Sequence, residues 1–260
     1  YQTPDMSLEK AAIAKLDRIC LKLELTPDDH VLEIGSGWGG FAIHAAQHYG
    51  CHVTTTTISK QQYELACTRV KQIGLEDRIT VLMKDYRDLQ GQFDKLVSIE
   101  MIEAVGHQYY DTFFRQCSNL LKPDGMMLIQ AITMADHAFD RHKHSVDFIK
   151  RYIFPGSCIP SVTALSQAMA KSSDLRLFHF EDITPHYATT LRLWRERFFE
   201  KIEKVLIFFP VCLFAIAAIR LLSRPPDRKK PIGRSVFAMR ILTASSRPDR
   251  ILLRSTSSGF

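Results

Sequence analysis

The sequence predicts an α/β fold built on a doubly wound, mostly parallel sheet, and three observations lead there. Short runs rich in β-branched or apolar residues alternate with longer segments of helical period through the first half of the chain. A glycine-rich turn, Gly35-Ser36-Gly37-Trp38-Gly39-Gly40, follows the first of those runs. Punctuating residues bound the helical segments, as Ser59 does before one and Gly74 after it.

Taken in order, Leu8, Ala12, Leu16, Ile19 and Leu23 fall at helical spacing, and Thr26-Pro27-Asp28-Asp29 breaks that helix. Residues 31–35 read as a buried strand entering the glycine turn, and residues 41–48 as a helix ending near Gly50. Residues 51–58, dense in β-branched side chains, form a second strand. Ser59 caps a helix that runs to residue 73. Residues 79–83 and 93–99 are the third and fourth strands, and 109–121 a helix. Lys122-Pro123-Asp124-Gly125 reads as a turn before a fifth strand over 126–133.

Residues 134–160 break the alternation and read as an inserted lid. His137, His142 and His144 lie there in a polar segment read as flexible, without the frame a metal site needs, so no metal is expected. Ser161 caps a helix to residue 171, residues 175–183 form a strand, and Pro185 opens a long helix through Trp194 and Ile202. Past residue 204 the character changes. Residues 205–218 are apolar but interrupted by Pro210, and at about 15 residues the run is short of the ~20 that a membrane span needs. A basic, Ser/Arg-rich stretch follows. One domain over 1–204 is therefore expected, with 205–260 set apart as a tail that contributes no clear final strand.

The composition bounds the function. Hydrophobic residues at 46% and charged residues at 24% place the chain among globular proteins and exclude a disordered one. A formal net charge of +6 favours acidic partners such as nucleic acid, lipid headgroups or acidic metabolites. The six cysteines (Cys20, Cys51, Cys67, Cys117, Cys158 and Cys212) form no C-x-x-C pair, and read as free thiols in a reducing cytoplasm. No secretory signal opens the chain, which starts at Tyr1 without a methionine and so reads as a piece of a longer protein.

In the turn, glycines stand where a strand must bend sharply and a backbone must approach a ligand closely. Gly35, Ser36 and Gly37 are therefore cofactor-binding candidates, and the helix that follows offers unsatisfied N–H groups. A lone G-x-G also opens dinucleotide sites. Here acidic Glu33 precedes the turn, and a carboxylate there suits a cationic or amino-bearing ligand better than a pyrophosphate.

Several further segments accompany it: Thr-Ile-Ser-Lys-Gln-Gln (57–62), Asp-Tyr-Arg-Asp (85–88), Ser-Ile-Glu-Met-Ile-Glu-Ala-Val-Gly (98–106), Ile-Phe-Pro-Gly (153–156) and Pro-His-Tyr-Ala (185–188). With Glu-Ile-Gly-Ser-Gly-Trp-Gly-Gly (33–40), they resemble the cyclopropane-fatty-acid synthase family, which includes the mycolic acid cyclopropane synthases, over roughly residues 1–204. The resemblance implies a Rossmann-like class I methyltransferase using S-adenosylmethionine. Thr57, Ile58 and Gln62 would line the cofactor pocket, and Asp85 and Tyr86 would lie where adenine sits, with Tyr86 either stacking on the ring or serving as an ordinary aromatic. Glu103, the Ile99 backbone and the Tyr187 hydroxyl would hold a bicarbonate ion that removes a proton during ring closure. Without the resemblance, Glu103 reads equally well as a solvated acid at a helix start.

Three departures accompany the likeness. Gln130 stands where relatives have His, so it can bond the anion but not titrate. The chain begins just downstream of a Tyr-Ser-Cys-Ala-type segment common in the family, and the tail after 204 is unlike it. The implied reaction is methylene or methyl transfer to the cis double bond of an unsaturated phospholipid acyl chain. Methyl branching of that chain, small-amine N-methylation, or a cofactor-binding remnant without turnover are the alternatives. The implied partners are those acyl chains at an anionic membrane surface, met by Lys143, Lys150 and Arg151 beside Phe148, Tyr152 and Phe154. A cytoplasmic protein peripheral to the inner membrane face is expected, with no nucleic acid bound and a homodimer as the oligomer to test.

Overall fold

In the computed structural model, which describes residues 1–204 and 234–242, seven strands join one sheet in the order β3-β2-β1-β4-β5-β7-β6. Those strands are β1 (His30–Ile34), β2 (His52–Thr57), β3 (Ile79–Met83), β4 (Phe93–Ile99), β5 (Leu121–Met134), β6 (Arg176–Asp182) and β7 (Arg234–Leu242). The first five are mutually parallel, and β7 runs antiparallel between β5 and β6. This is the doubly wound arrangement that the alternation predicts, and the class I methyltransferase-like one that the resemblance implies. The helices are α1 (Leu8–Lys22), α2 (Gly40–Tyr49), α3 (Lys60–Gln72), α4 (Ile102–Val105), α5 (Tyr110–Leu120), α6 (Asp136–His144), α7 (Val162–Ser172) and α8 (Thr184–Glu200).

Period-two alternation sends neighbouring strand residues to opposite faces, and each face has its own core. Leu32, Leu96, Met127 and Ile129 pack with Phe113 and Phe114 of α5 and Leu165 of α7. Val31, Val53, Val97 and Leu128 pack with Cys20 of α1, Phe41 of α2 and Val70 of α3. Cys20, Cys51, Cys117 and Cys158 are buried free thiols and Cys67 is partly exposed, while Cys212 lies outside the described residues. Burial pushes the Cys20 and Cys51 thiols up to about 12 and about 11, which keeps them protonated and unreactive.

Local signals mark the helix ends. The Ser59 hydroxyl accepts from the Gln62 N–H at 3.3 Å, and Ser161 caps α7 in the same way at 3.2 Å. Ser59→Ala is expected to cost about 1 kcal/mol, read as a lowered urea midpoint at unchanged slope. An unchanged midpoint would mean that solvent satisfies the amide equally well.

Three expectations change. Lys122-Pro123-Asp124-Gly125, expected as a turn, lies within β5 as an exposed irregularity, and the register jumps from Phe93↔Leu121 to Lys95↔Met126. His137, His142 and His144, expected in an unframed segment, sit on α6, because residues 136–144 bury Phe139 and close a helical turn. The tail, expected to contribute no strand, supplies β7, paired on both sides. Arg-Ser-Val-Phe-Ala-Met-Arg-Ile-Leu alternates too loosely to be read as a strand before its partners are known. The apolar run at 205–218 lies outside the described residues. Among the described residues no helix is long and apolar enough to cross a membrane, and no group of three or more His, Cys, Asp or Glu could hold a metal ion.

Candidate functional site

Strand order reverses between β1 and β4, so their carboxyl ends open a crevice, the place where open α/β sheets take ligands. The loop after β1 lies on one side of it. Gly35 has φ +100°, and its N–H and that of Ser36 both donate to the Thr56 carbonyl, at 3.0 and 2.9 Å. A Cβ on Gly35 would stand 3.0 Å from Met101 Cγ, so the loops after β1 and β4 touch, and only glycine lets them close. Gly39, at φ +80°, caps α2 without a side chain. Ser36 Oγ is buried and has no partner among the described residues, while Trp38 stands half-exposed beside the loop.

Glu33 lies almost wholly buried beneath this loop and accepts from the Thr55 hydroxyl at 2.6 Å. Burial pushes its carboxyl up to about 8, against the smaller opposing effect of that hydrogen bond. The negative charge expected at the turn is therefore suppressed at neutral pH, because the strand's pleat directs the side chain inward. Thr57 donates to Gln62 Oε1 at 2.8 Å, leaving the amide Nε2 without a partner among the described residues. Ile58, directly after β2, is 78% exposed.

Asp85 and Tyr86 follow β3, and both have partners within the chain. The Asp85 carboxylate pairs with Arg87 at 2.7 and 2.9 Å, which holds it below its usual range. The Tyr86 ring packs edge-on against Phe113 with centroids 5.5 Å apart. It is partly buried at the edge of the core.

Around the ends of β4 and β5 the expected catalytic residues do converge. Ile99 lies beside Gln130 in the ladder. Gln130, 1% exposed, donates from Nε2 to Glu100 Oε1 at 2.6 Å and approaches the Tyr187 hydroxyl at 3.3 Å. Tyr187, in the first turns of α8, donates to the same Glu100 oxygen. Glu103, in α4, accepts from the Ile132 N–H at 2.5 Å, and burial pushes its carboxyl up to about 7. Its Oε2 and the Gln130 Oε1 are buried without partners among the described residues. The lid returns here, since the Cys158 N–H donates to the Glu103 carbonyl at 2.8 Å.

Of these, Glu100, Gln130 and Tyr187 line a cleft of about 1120 Å³ between α1 and α8, with Ile13, Leu21 and Trp194 also in its lining. Those three side chains are 51%, 66% and 54% exposed, an apolar wall facing solvent. Arg18 of α1 grips Glu181 of β6, and the Tyr1 hydroxyl meets Thr190 of α8 at 3.0 Å, which fixes the two walls. Glu100 was not singled out from the sequence although it lies inside the Ser-Ile-Glu-Met-Ile-Glu segment. The available signal was its place directly after the last residue of a parallel strand.

The model of the family described as mycolic acid cyclopropane synthetase matches residues 1–212. The chain is 41% identical over 194 residues to the tuberculostearic acid methyltransferase UfaA1 of Mycobacterium tuberculosis, covering 75% of this chain and 45% of that protein. It is also 41% identical over 193 residues to the cyclopropane-fatty-acyl-phospholipid synthase of Escherichia coli K12, covering 74% and 48%. The chain thus spans about half the length of these relatives. Among solved structures, the cyclopropane synthase MmaA2 from Mycobacterium tuberculosis superposes with a TM-score of 0.77 at 25% identity, over 93% of this chain and 87% of that one. The mycolic acid cyclopropane synthase CmaA1 complexed with SAH and CTAB superposes at 0.78, with 25% identity and coverage of 94% and 88%.

Proposed function

Because the chain belongs to the mycolic acid cyclopropane synthetase family, a family of S-adenosylmethionine-dependent methyltransferases, we propose that it transfers a one-carbon group to the cis double bond of an unsaturated phospholipid acyl chain. The observation that carries this reading is the cleft between α1 and α8, whose lining joins exposed Ile13, Leu21 and Trp194 with Glu100, Gln130 and Tyr187. An extended hydrocarbon gains from such walls, and its alkene would rest where the polar groups begin.

S-adenosylmethionine, when bound, supplies an electrophilic methyl group. The chain's own residues fit it: Gly37 and Gly40 have open space where a Cβ would stand, Ile58 offers an apolar face, and Gln62 Nε2 is available to a hydroxyl. Tyr187 and Gln130 both donate to Glu100 in the cleft lining, and burial pushes the Glu103 carboxyl up to about 7. Bicarbonate is the free anion that the family likeness implies for this position.

The lid supports a lipid surface as the place of action. Val146, Tyr152 and Phe154 are 74%, 63% and 62% exposed, and the Arg151 guanidinium lies over the Tyr152 ring, so cationic and apolar groups stand together.

Incubation with S-adenosylmethionine and vesicles of unsaturated, partly anionic phospholipid tests the reading. The expected result is an acyl chain heavier by one methylene, identified by gas chromatography with mass spectrometry. Absence of both cyclopropane and methyl-branched product sinks it. The branched product is a second reading, favoured by the likeness to a tuberculostearic acid methyltransferase; the position of the added carbon in the fragmentation pattern separates the two.

A further inference from the structure

Glu100 occupies a backbone conformation that its side chain makes costly. Its φ of +53° is left-handed, a region that non-glycine residues enter at a cost of about 1 to 2 kcal/mol. Such strain persists where surrounding contacts over-determine it, often at functional sites. Here the Glu100 N–H donates to the Gln130 carbonyl at 2.8 Å. One carboxylate oxygen accepts from Gln130 Nε2 at 2.6 Å and from the Tyr187 hydroxyl, with Lys15 Nζ 3.8 Å away. Tyr187 is one of the groups that the family likeness reserves for a bicarbonate ion, and Gln130 stands in the position of another. Both now serve a carboxylate covalently part of the chain. A second anion on the same donors would meet that charge at close range.

We infer that Glu100 is the general base of this site, a built-in carboxylate that stands in place of a free bicarbonate. The inference rests on the lipid reading above. As the alkene π pair forms a bond to the incoming methyl carbon, the methyl–sulfur bond breaks, its electron pair stays on sulfur, and the other alkene carbon is left cationic. Glu100 removes a proton from the new methyl group. The C–H electron pair closes the second carbon–carbon bond, and the proton leaves on the carboxyl group for solvent. Gln130 has no titratable proton to take part. Burial, reinforced by Glu100, holds the Tyr187 hydroxyl well above the ordinary tyrosine value, so Tyr187 positions the base rather than replacing it. Burial pushes the neighbouring Glu103 carboxyl up to about 7, which disfavours a second negative charge beside Glu100.

The test compares wild type, Glu100→Gly and Glu100→Gln in bicarbonate-free and bicarbonate-supplemented buffer. Glycine suits the left-handed backbone and empties the donors, whereas glutamine fills the same space without basicity. Wild-type kcat is expected to be indifferent to bicarbonate. Glu100→Gly should lose about 100-fold in kcat without bicarbonate and regain much of it on addition, while Glu100→Gln should lose as much and not be rescued. NMR of isotopically labelled bicarbonate with the unliganded chain should show binding to Glu100→Gly alone. A wild-type rate that falls when bicarbonate is removed, a Glu100→Gly rate equal to wild type without it, or bicarbonate binding to the wild-type chain overturns the assignment while the lipid reading stands. A wild-type chain that binds S-adenosylmethionine but methylates no lipid overturns the lipid reading, and the base assignment falls with it.

Discussion

Gly35→Ala is expected to weaken S-adenosylmethionine binding about 100-fold, equivalent to ~2.7 kcal/mol, and to lower stability by about 2 kcal/mol. Two independent features set this magnitude. The backbone at φ +100° lies where an L side chain is strained, and the added Cβ would press Met101 at 3.0 and 3.2 Å. Relief requires movement of either the loop after β1 or the loop after β4, and both border the crevice at which strand order reverses. The Gly35 and Ser36 N–H groups are fixed on the Thr56 carbonyl, so the loop cannot shift without losing those bonds. Calorimetric titration with S-adenosylmethionine and urea unfolding of the same preparation read the two effects separately. Wild-type affinity in a folded Gly35→Ala chain would place the cofactor away from this loop.

Glu33→Gln is expected to stabilise the protein at pH 8.5 by several kcal/mol and to leave it nearly unchanged at pH 4.5. The carboxyl titrates near 4.5 in the unfolded chain and about 8 in the folded one, because burial disfavours its charge. As pH rises above 4.5, the unfolded chain releases its proton while the folded chain keeps it, so stability is greatest below that value. It then falls through the interval up to about 8 by roughly 1.4 kcal/mol per pH unit. Glutamine keeps an acceptor for the Thr55 hydroxyl and carries no charge, so it abolishes the slope. Urea unfolding of wild type and variant at several pH values checks this. Parallel stability curves would mean that the Glu33 carboxyl ionises in the folded protein at its ordinary value. The same proton matters for ligand binding, since a cationic ligand that ionises Glu33 must displace it.

Legibility followed the range of the interactions. Helix caps at Ser59 and Ser161 and the strands at 79–83 and 93–99 were read directly, because capping and periodicity act within a few residues. The glycine turn was read for the same reason, and its position beside β4 follows from the parallel topology. Residues 122–125 carry strong turn residues, yet the ladder absorbs them as an irregularity between Leu121 and Met126, because both flanking residues pair with β4. Tyr86 and Gln62 show contacts that motifs do not carry. Both were named through the family resemblance, and the structure adds that the Tyr86 ring packs edge-on against Phe113 and that the Gln62 carbonyl oxygen accepts from Thr57.

By itself, the sequence determined the alternating α/β architecture and the glycine turn that opens the crevice, while Ile99, Glu103, Gln130 and Tyr187 were named through the family resemblance. These depend on local periodicity, on turn chemistry and on motifs that carry their own spacing. Only the tertiary structure decided which charges survive and which groups meet. It buried Glu33 until its proton was retained, and placed β7 between β5 and β6. It also brought the Tyr187 hydroxyl onto Glu100 across 87 positions of chain. The physical reason is the same in each case: desolvation and long-range hydrogen bonding depend on neighbours that chain order does not specify.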